Sequence, residues 1–582
     1  MAVSETPQIQ TDTPRTHGSA GWSRDLVWLM VCFAVVFFVG LGSQELRNPD
    51  EGRYAEIARE MVVSGDWVTP RLNGVNYFEK PPLVYWVNAA SLKAFGPSEW
   101  AMRATPALFG LAGVLLTYAA ARRLHGRSAG LLSAIVLGTS LLYVILSYVL
   151  LLDMAMSVLM AATLFCFILG VREPAQNGGA RRWFFYGLYA SAALATLTKG
   201  LIGFLVTGAV MFLWLLLFNQ WRRLRPLYLP SGVLIFLAIA APWHVLAALR
   251  NETWVHRYFV YEHFERFLTP AAGRPGAWWY FIPVLLVGLM PWTGLLWPAL
   301  RDTFASGWKR RVELSEAWYL VVWVAFIFLF FSASHSKLPP YILPVLPALA
   351  VLIGAWLAQA IEREGSVALR TGLRVHAFFC GMLAAGFAAI LVRPDIAGIA
   401  GADIALLRPW VIGLIGVVAI GGVLPHFLAK FRGPWAALLV MAATMAVLFA
   451  GLRLAPLDHV LKPGTRTLAL IVKEKARPGD RVLQYQGFYH DFTFYADRLV
   501  DVVDYKGELE LEEDAVARAS GRFIDRETFL KQWNQPGRMW VVARTRDVAV
   551  RADGQPTLFA DPSFRYHLIA KSARHTLFSN QP

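Results

Sequence analysis

Between Asn48 and Pro82 the chain reads NPDEGRYAEIAREMVVSGDWVTPRLNGVNYFEKPP. The carboxylates Asp50 and Glu51 open this stretch, and Glu79 and Lys80 lie near its end in Tyr77-Phe78-Glu79-Lys80-Pro81-Pro82. It follows directly on the first long apolar run, Leu26 to Leu41, so it begins where the chain leaves a bilayer. Ionisable groups are costly to place beside a membrane. Such clusters mark a functional site unless they merely snorkel to headgroups. One pair alone would favour snorkelling; two clusters in one loop favour function. Carboxylates there can act as a base or grip a positive group. Lys80 precedes two prolines that stiffen its backbone and disfavour helix, which makes it a fixed cation.

Other chemistry-bearing residues fall between apolar runs. Asp153 closes the SYVLLLD turn, Lys199 sits in TKG, and SASHSKLPPY holds His335, Lys337 and Tyr341. The stretch from Arg250 to Trp278 carries Glu252, His256, Arg257, Tyr258, Glu262, His263, Glu265 and Arg266.

The elements that must position these groups are membrane helices. With 56% hydrophobic residues and a mean hydropathy of +0.45, the 582-residue chain is polytopic rather than soluble. Apolar runs long enough to cross about 30 Å of hydrocarbon recur near 25–42, 104–121, 128–147, 154–171, 184–198, 201–218, 231–248, 279–299, 316–333, 342–361, 375–392, 409–429 and 434–453. That predicts thirteen spans. The net charge of +15 does not point to nucleic acid, because the cations sit in short loops. Arg122, Arg123 and Arg127 share one loop and Arg181 and Arg182 another. Arg222, Arg223 and Arg225, then Lys309, Arg310 and Arg311, then Lys430 and Arg432 mark three more. With thirteen spans all of these fall on one side, which the positive-inside rule makes cytoplasmic. The N-terminus is then inside, and loop 43–103, loop 249–278 and the tail are outside. Every cluster of candidate catalytic groups faces that outer compartment.

Residues 1–24 read as a cytoplasmic tail, polar and disordered through residue 21, followed by an uncleaved span. Residues 25–453 form the membrane domain. Residues 454–582 alternate short β-rich runs (481–485, 499–503, 539–543) with helical patterns (465–476, 525–533), which predicts an α/β domain with a partly parallel sheet. No nucleotide-binding fingerprint occurs there. Cys32, Cys166 and Cys380 lie inside apolar runs and form neither a disulfide framework nor a zinc motif. Trp22, Trp100, Trp278 and Trp279 read as an interfacial belt, and Trp86 as packing on a juxtamembrane helix.

PDEGRYAEIAREM, GDWVTPRL and FEKPPLVYW together resemble the first periplasmic loop of bacterial lipid A aminoarabinose transferases. These are polyprenyl-phosphate-sugar glycosyltransferases of the GT-C class, related to protein O-mannosyltransferases. The acidic pair is common to that superfamily, whereas FEKPP is specific. The resemblance implies a mainly α GT-C membrane protein with a periplasmic α/β domain. It implies transfer of 4-amino-4-deoxy-L-arabinose from undecaprenyl phosphate to lipid A, with inversion, at the inner membrane. It also implies that Lys80, Arg266 and Tyr341 hold the lipid phosphate; Lys337, paired with Tyr341 in SKLPPY, and Glu79 are further candidates for binding the substrate or its phosphate.

A departing lipid phosphate needs cations, and Arg and Tyr supply directed donors. Asp50 matches the superfamily's essential carboxylate; Glu51 and Asp153 are further acidic candidates, with helix N-terminal roles as their structural alternatives. A lipid A phosphate is already nucleophilic at neutral pH, so Asp50 could grip the sugar amine or its developing positive charge; a hydroxyl acceptor would demand a base. No metal is required. A divalent cation on Glu79, His256 and His263 is the alternative, although the His spacing matches no known ligand pattern. Two other functions fit less well: a related enzyme using another sugar or a protein Ser/Thr acceptor, and a lipid flippase, which would carry its charges at the midplane.

Overall fold

The computed structural model describes residues 21–582 apart from 175, 177, 260–274, 306–307, 309–310, 312–314, 363–366, 398, 400, 462–463, 506, 508, 510–513, 549–556 and 559–563. The expected disorder of the N-terminus thus lies outside the described residues.

Each apolar run is helical. In chain order the membrane part is α1 (Trp22–Phe38), the loop helices α2 (Asp50–Ser64) and α3 (Leu83–Phe95), α4 (Glu99–His125), α5 (Arg127–Thr139), α6 (Leu141–Leu146), α7 (Asp153–Arg172), α8 (Gly178–Lys199) and α9 (Ile202–Phe218). There follow α10 (Leu229–Arg250), α11 (Phe281–Gly288), α12 (Thr293–Ala305), α13 (Ser315–Ala333), a 3-10 turn at Pro339–Val345, α14 (Leu346–Glu362), α15 (Val367–Val392), α16 (Gly401–Phe431) and α17 (Pro434–Leu454). Among the described residues eight helices are long and apolar enough to cross a membrane, and the bent pair α11–α12 makes a ninth. α5 and α9 are apolar but shorter.

Two runs that read as single spans are broken. The run 279–299 bends by 106° between α11 and α12, where Pro291 contributes no N–H to the ladder. The run 128–147 breaks at Ser140, and the two breaks meet: the Leu141 amide donates to the Met290 carbonyl at 2.9 Å, and the Trp292 indole donates to Thr139 Oγ1 at 3.0 Å. Each break satisfies backbone and side-chain groups of the other, as buried non-helical backbone must be satisfied within a bundle.

The bundle has two chemically different ends. At the start of α1, Asp25 pairs with Arg122 and Arg127 at 2.9 and 2.7 Å, and Arg122 lies 4.2 Å from the Trp22 ring. Arg172 donates to the Arg123 carbonyl at 2.8 Å, and Arg181 bridges the carbonyls of Glu173, Arg223 and Pro226. These three basic loops therefore gather around one end. At the other end, where α1 and α17 finish, Ser43 Oγ donates to the Arg453 carbonyl at 2.6 Å. The chemistry-bearing loops collect there.

The C-terminal part adds α18 (Leu457–Leu461), α19 (Arg466–Lys475) and α20 (His490–Ala496) around a six-stranded sheet. With β1 (Arg71–Leu72) and β2 (Val75–Asn76) in the first loop, its strands are β3 (Arg481–Tyr485), β4 (Asp501–Val503), β5 (Phe523–Ile524), β6 (Met539–Arg544), β7 (His567–Lys571) and β8 (His575–Ser579), in the order β5-β4-β3-β6-β8-β7. The first four strands in that order run parallel, and β8 and β7 are antiparallel. The partly parallel sheet matches the sequence expectation; the β7–β8 hairpin adds an antiparallel edge that was not foreseen.

This domain packs on the first loop through one apolar core that includes Ile57, Leu72 and Val75 with Leu468, Phe492, Val502 and Trp540. Polar ties reinforce it. The β1–β2 hairpin turns at Asn73-Gly74, both at positive φ, as a two-residue turn demands. Asn73 then exchanges bonds with Val500 at 2.9 and 3.0 Å. Gly52 lies so close to α20 that a Cβ would sit 2.5 Å from the Asp491 amide nitrogen. A side chain at 52 would push the domain off α2.

Candidate active site

α2 begins at the acidic pair, and its first turn treats the two carboxylates oppositely. Glu51 points inward, its side chain 4% exposed. Arg103 of α4 grips it with Nε and Nη2 at 2.9 and 2.8 Å, and the amides of Leu150 and Arg47 donate at 3.1 and 3.0 Å. Burial raises its pKa, but Arg103 outweighs that and holds the carboxyl below its ordinary value. Arg103 also donates to the carbonyls of Leu41, Gln44 and Glu45. Glu51 therefore clamps the start of α2 to the ends of α1 and α4 and to the turn before α7.

Asp50 points the other way. Its side chain is 45% exposed, with Arg53 at 3.5 Å. One turn on, Tyr54 is buried. Its phenol is pushed up by burial, with Arg53 opposing and Asp50, Glu79 and Asp153 adding to the rise. His490, in α20, is buried. Burial presses its imidazole down to about 3, with Arg53 adding and Glu79 opposing.

Asp153 begins α7 and accepts from Lys199 Nζ, at the end of α8, at 2.5 Å. The same ammonium lies 5.1 Å from the ring centroid of Tyr341, in the 3-10 turn. Three elements distant in sequence meet there. Lys337 is 8% exposed and donates to the Ser334 carbonyl. Lys80 donates to the carbonyl of its neighbour Glu79 at 2.7 Å. Phe78, next to that pair, packs with Trp243, Trp254 and Tyr258, so loop 249–259 is held against the FEKPP run. His256 is exposed on that loop. Arg266, His263, Glu262 and Glu265 lie outside the described residues. Among the described residues no group of three or more His, Cys, Asp or Glu could hold a metal ion.

Cations on three loops, beside carboxylates with differing freedom, form a site that can bind an anion while presenting a negative charge to a second group. The family model described as dolichyl-phosphate-mannose-protein mannosyltransferase matches residues 22–261. The undecaprenyl phosphate-α-4-amino-4-deoxy-L-arabinose arabinosyl transferase of Edwardsiella ictaluri is 36% identical over 66% of this chain and 67% of its own. The second such transferase of Proteus mirabilis is 30% identical over 72% of this chain and 75% of its own. The chain belongs to this family of arabinosyl transferases. It is a membrane glycosyltransferase with the GT-C fold. The crystal structure of ArnT from Cupriavidus metallidurans bound to undecaprenyl phosphate superposes with a TM-score of 0.81 at 30% identity, covering 97% of this chain and 98% of that one.

For a transferase of this family the geometry adds residues to those singled out in the sequence. Lys199, in the TKG turn, is paired with Asp153. Arg103 carried a signal that went unused: it lies at the outer end of its helix, against the positive-inside pattern. Such a cation needs a local partner, which is Glu51.

Proposed function

We propose that this chain transfers 4-amino-4-deoxy-L-arabinose from undecaprenyl phosphate to a lipid A phosphate on the periplasmic face of the Gram-negative inner membrane, conferring polymyxin resistance. The observation that carries this reading is the Asp153–Lys199 pair beside Tyr341, at the same end of the bundle as Asp50 and Lys80. Lys80, Lys337, Tyr341 and Arg266 hold the donor phosphate and stabilise the charge it gains as the sugar leaves. Asp153 holds Lys199 in place beside Tyr341. Asp50, the freer carboxylate, grips the sugar amine or the positive charge developing on the ring. The clustering of basic loops at the opposite end supports a cytoplasmic N-terminus, with loop 43–103 and residues 454–582 outside.

The test is expression in a polymyxin-sensitive host that lacks its own transferase, with the mass of lipid A as readout. Gain of aminoarabinose on lipid A is expected. Unmodified lipid A together with a newly glycosylated protein would overturn the acceptor. Labelling of single cysteines at residues 20 and 500 from outside intact cells checks the orientation: only residue 500 should react.

A further inference from the structure

A groove with a charged head starts at the basic end of the bundle, away from the loop cluster. α1, α5 and α17 leave between them a space of about 560 Å³. Its walls are apolar: Leu29, Phe33 and Val36 of α1, Ile135 of α5, and Leu439 and Ala443 of α17. Phe33 forms the floor, since α1 comes so close to α5 there that a Cβ on Gly138 would lie 2.1 Å from its ring. Leu439 and Ala443 are exposed on the outside of the bundle, so the groove opens toward the membrane. Its far end reaches Thr139, whose hydroxyl donates to the Ile135 carbonyl at 2.6 Å and accepts from the Trp292 indole at 3.0 Å. Arg24 and Val36, at its two ends, are twelve residues apart. That is about 18 Å of helix, close to the ~15 Å of hydrocarbon in one leaflet.

The head of the groove, at the start of α1, is cationic. Arg24, Asp25 and Arg127 line it. Asp25 is already saturated: it accepts from Arg127 Nε and Nη2, both at 2.7 Å, from Arg122 at 2.9 Å and from the Tyr118 hydroxyl at 2.8 Å. Arg24 is exposed, and among the described residues no carboxylate pairs with it. Arg123 adds a further guanidinium, 5.7 Å from the Trp22 ring. Arg24, Arg122, Arg123 and Arg127 thus face the single carboxylate of Asp25, which leaves surplus positive charge at the mouth. The complement of such a groove is a ligand with an anionic head and a chain about one leaflet long. A phosphate matches the guanidinium fork, whereas a zwitterionic headgroup would bring its own cation into the same field. Basic pockets between helices on the cytoplasmic side favour acidic lipids for this reason.

We propose that this groove binds one acidic phospholipid of the inner leaflet, its phosphate held by Arg24 and Arg127 and one acyl chain lying over Phe33 between α1, α5 and α17. The choice of leaflet rests on the orientation proposed above; the site itself does not depend on the transfer reaction. The lipid is a resident one, with its head at the opposite end of the bundle from Asp50 and Lys80, and it is neither donor nor acceptor of the sugar. Its chain ties α1 to α5 and α17 along a seam that the protein's own side chains leave unfilled.

The experiment uses the full-length protein in mild detergent, with phosphatidylglycerol and phosphatidylethanolamine as competing probes and native mass spectrometry as readout. Wild-type protein should retain one phosphatidylglycerol with a preference of about tenfold, the discrimination expected from one charged hydrogen bond. Arg24→Gln should lose that preference, and Arg24→Lys should keep most of it. Ala443→Trp, which fills the groove from its exposed side without touching a charge, should lose retention of the lipid itself. Undecaprenyl phosphate affinity should stay within twofold in all three variants, because the donor site lies elsewhere. Equal retention of the two lipids by wild type, or an unchanged preference in Arg24→Gln, would overturn the anionic head site. Undiminished retention by folded Ala443→Trp would place the lipid outside the groove and overturn the proposal. So would a dimer that Ala443→Trp abolishes, which would give the groove to a second copy of the chain. Failure of the orientation is read separately, from the labelling of residues 20 and 500.

Discussion

The carboxylates along α2 and those facing the loop cluster differ in how completely the protein uses them. Glu51, Glu56 and Glu60 are buried and engaged. Glu51 is held by Arg103, Glu56 by a two-point contact from Arg59 at 2.8 and 2.7 Å, and Glu60 by the amides of Asn73 and Gly74. Asp50 and Asp153 keep side-chain exposures of 45% and 14% and meet one cation each in the ion pairs described. The first set fastens α2 to the bundle and to the C-terminal sheet. The second presents charge to whatever enters. Ionisable residues beside a membrane are thus either spent on architecture or left for ligand, and their position in sequence does not tell which.

The sharpest way to break this contrast is to attack both sets. Arg103→Met should leave Glu51 buried and unpaired, a loss of about 3–5 kcal/mol. Little folded protein should then be recovered from membranes, by size-exclusion of the detergent extract. Normal yield with lost activity would move Glu51 into the chemistry. Asp50→Asn and Lys80→Ala should do the reverse: normal yield, but transfer down by roughly a hundredfold and no growth on polymyxin, if each removes a charge used in the reaction as proposed. Full resistance in Lys80→Ala would mean that this lysine only snorkels to headgroups. Asp153→Asn should cost about ten- to a hundredfold, the value of one charged hydrogen bond, through Lys199 rather than through folding. Undecaprenyl phosphate binding by the purified variant checks that route.

The smallest effect concerns pH. Glu45 sits where the first loop meets α18 and α20. Burial, then Asp458 and Asp491, raise its carboxyl to about 7, against the Gly464 amide and Arg466. Its folded form holds the proton more tightly than the unfolded chain, whose value is near 4.5. That contribution to stability is full below about 4.5 and is lost as pH rises through about 7. Glu45→Gln should therefore flatten the fall in melting temperature between pH 5 and 8 by a few degrees. An unchanged slope would show that the junction does not depend on this proton.

Much of this was legible in the residues. Apolar runs fall where the helices are, because a bilayer or bundle interior leaves the backbone no option but internal hydrogen bonding. The asymmetry of Arg and Lys marked the two ends correctly as chemically distinct. Two breaks were invisible, since Ser140 and Pro291 sit in runs whose composition stays apolar; only the contact between them shows why each is tolerated. The hairpin at Asn73-Gly74 has the Asn-Gly dipeptide of a two-residue turn, but its strands are only two residues each, too short to show an alternating pattern. The β7–β8 edge rests on pairing with β6, which a single-strand pattern cannot reveal.

Composition and spacing alone therefore determined a polytopic chain, a loop rich in chemistry at the outer end of its first span, and the residue types an anionic lipid substrate requires. Those features are local, set by hydropathy and by charge along the chain. The tertiary structure alone gives Asp50 and Glu51, adjacent and chemically alike, different surroundings, because α2 turns one toward Arg103 and the other outward. It also joined Lys199 to Asp153 and Tyr341, since pairing of charges across elements depends on packing that sequence separation does not encode.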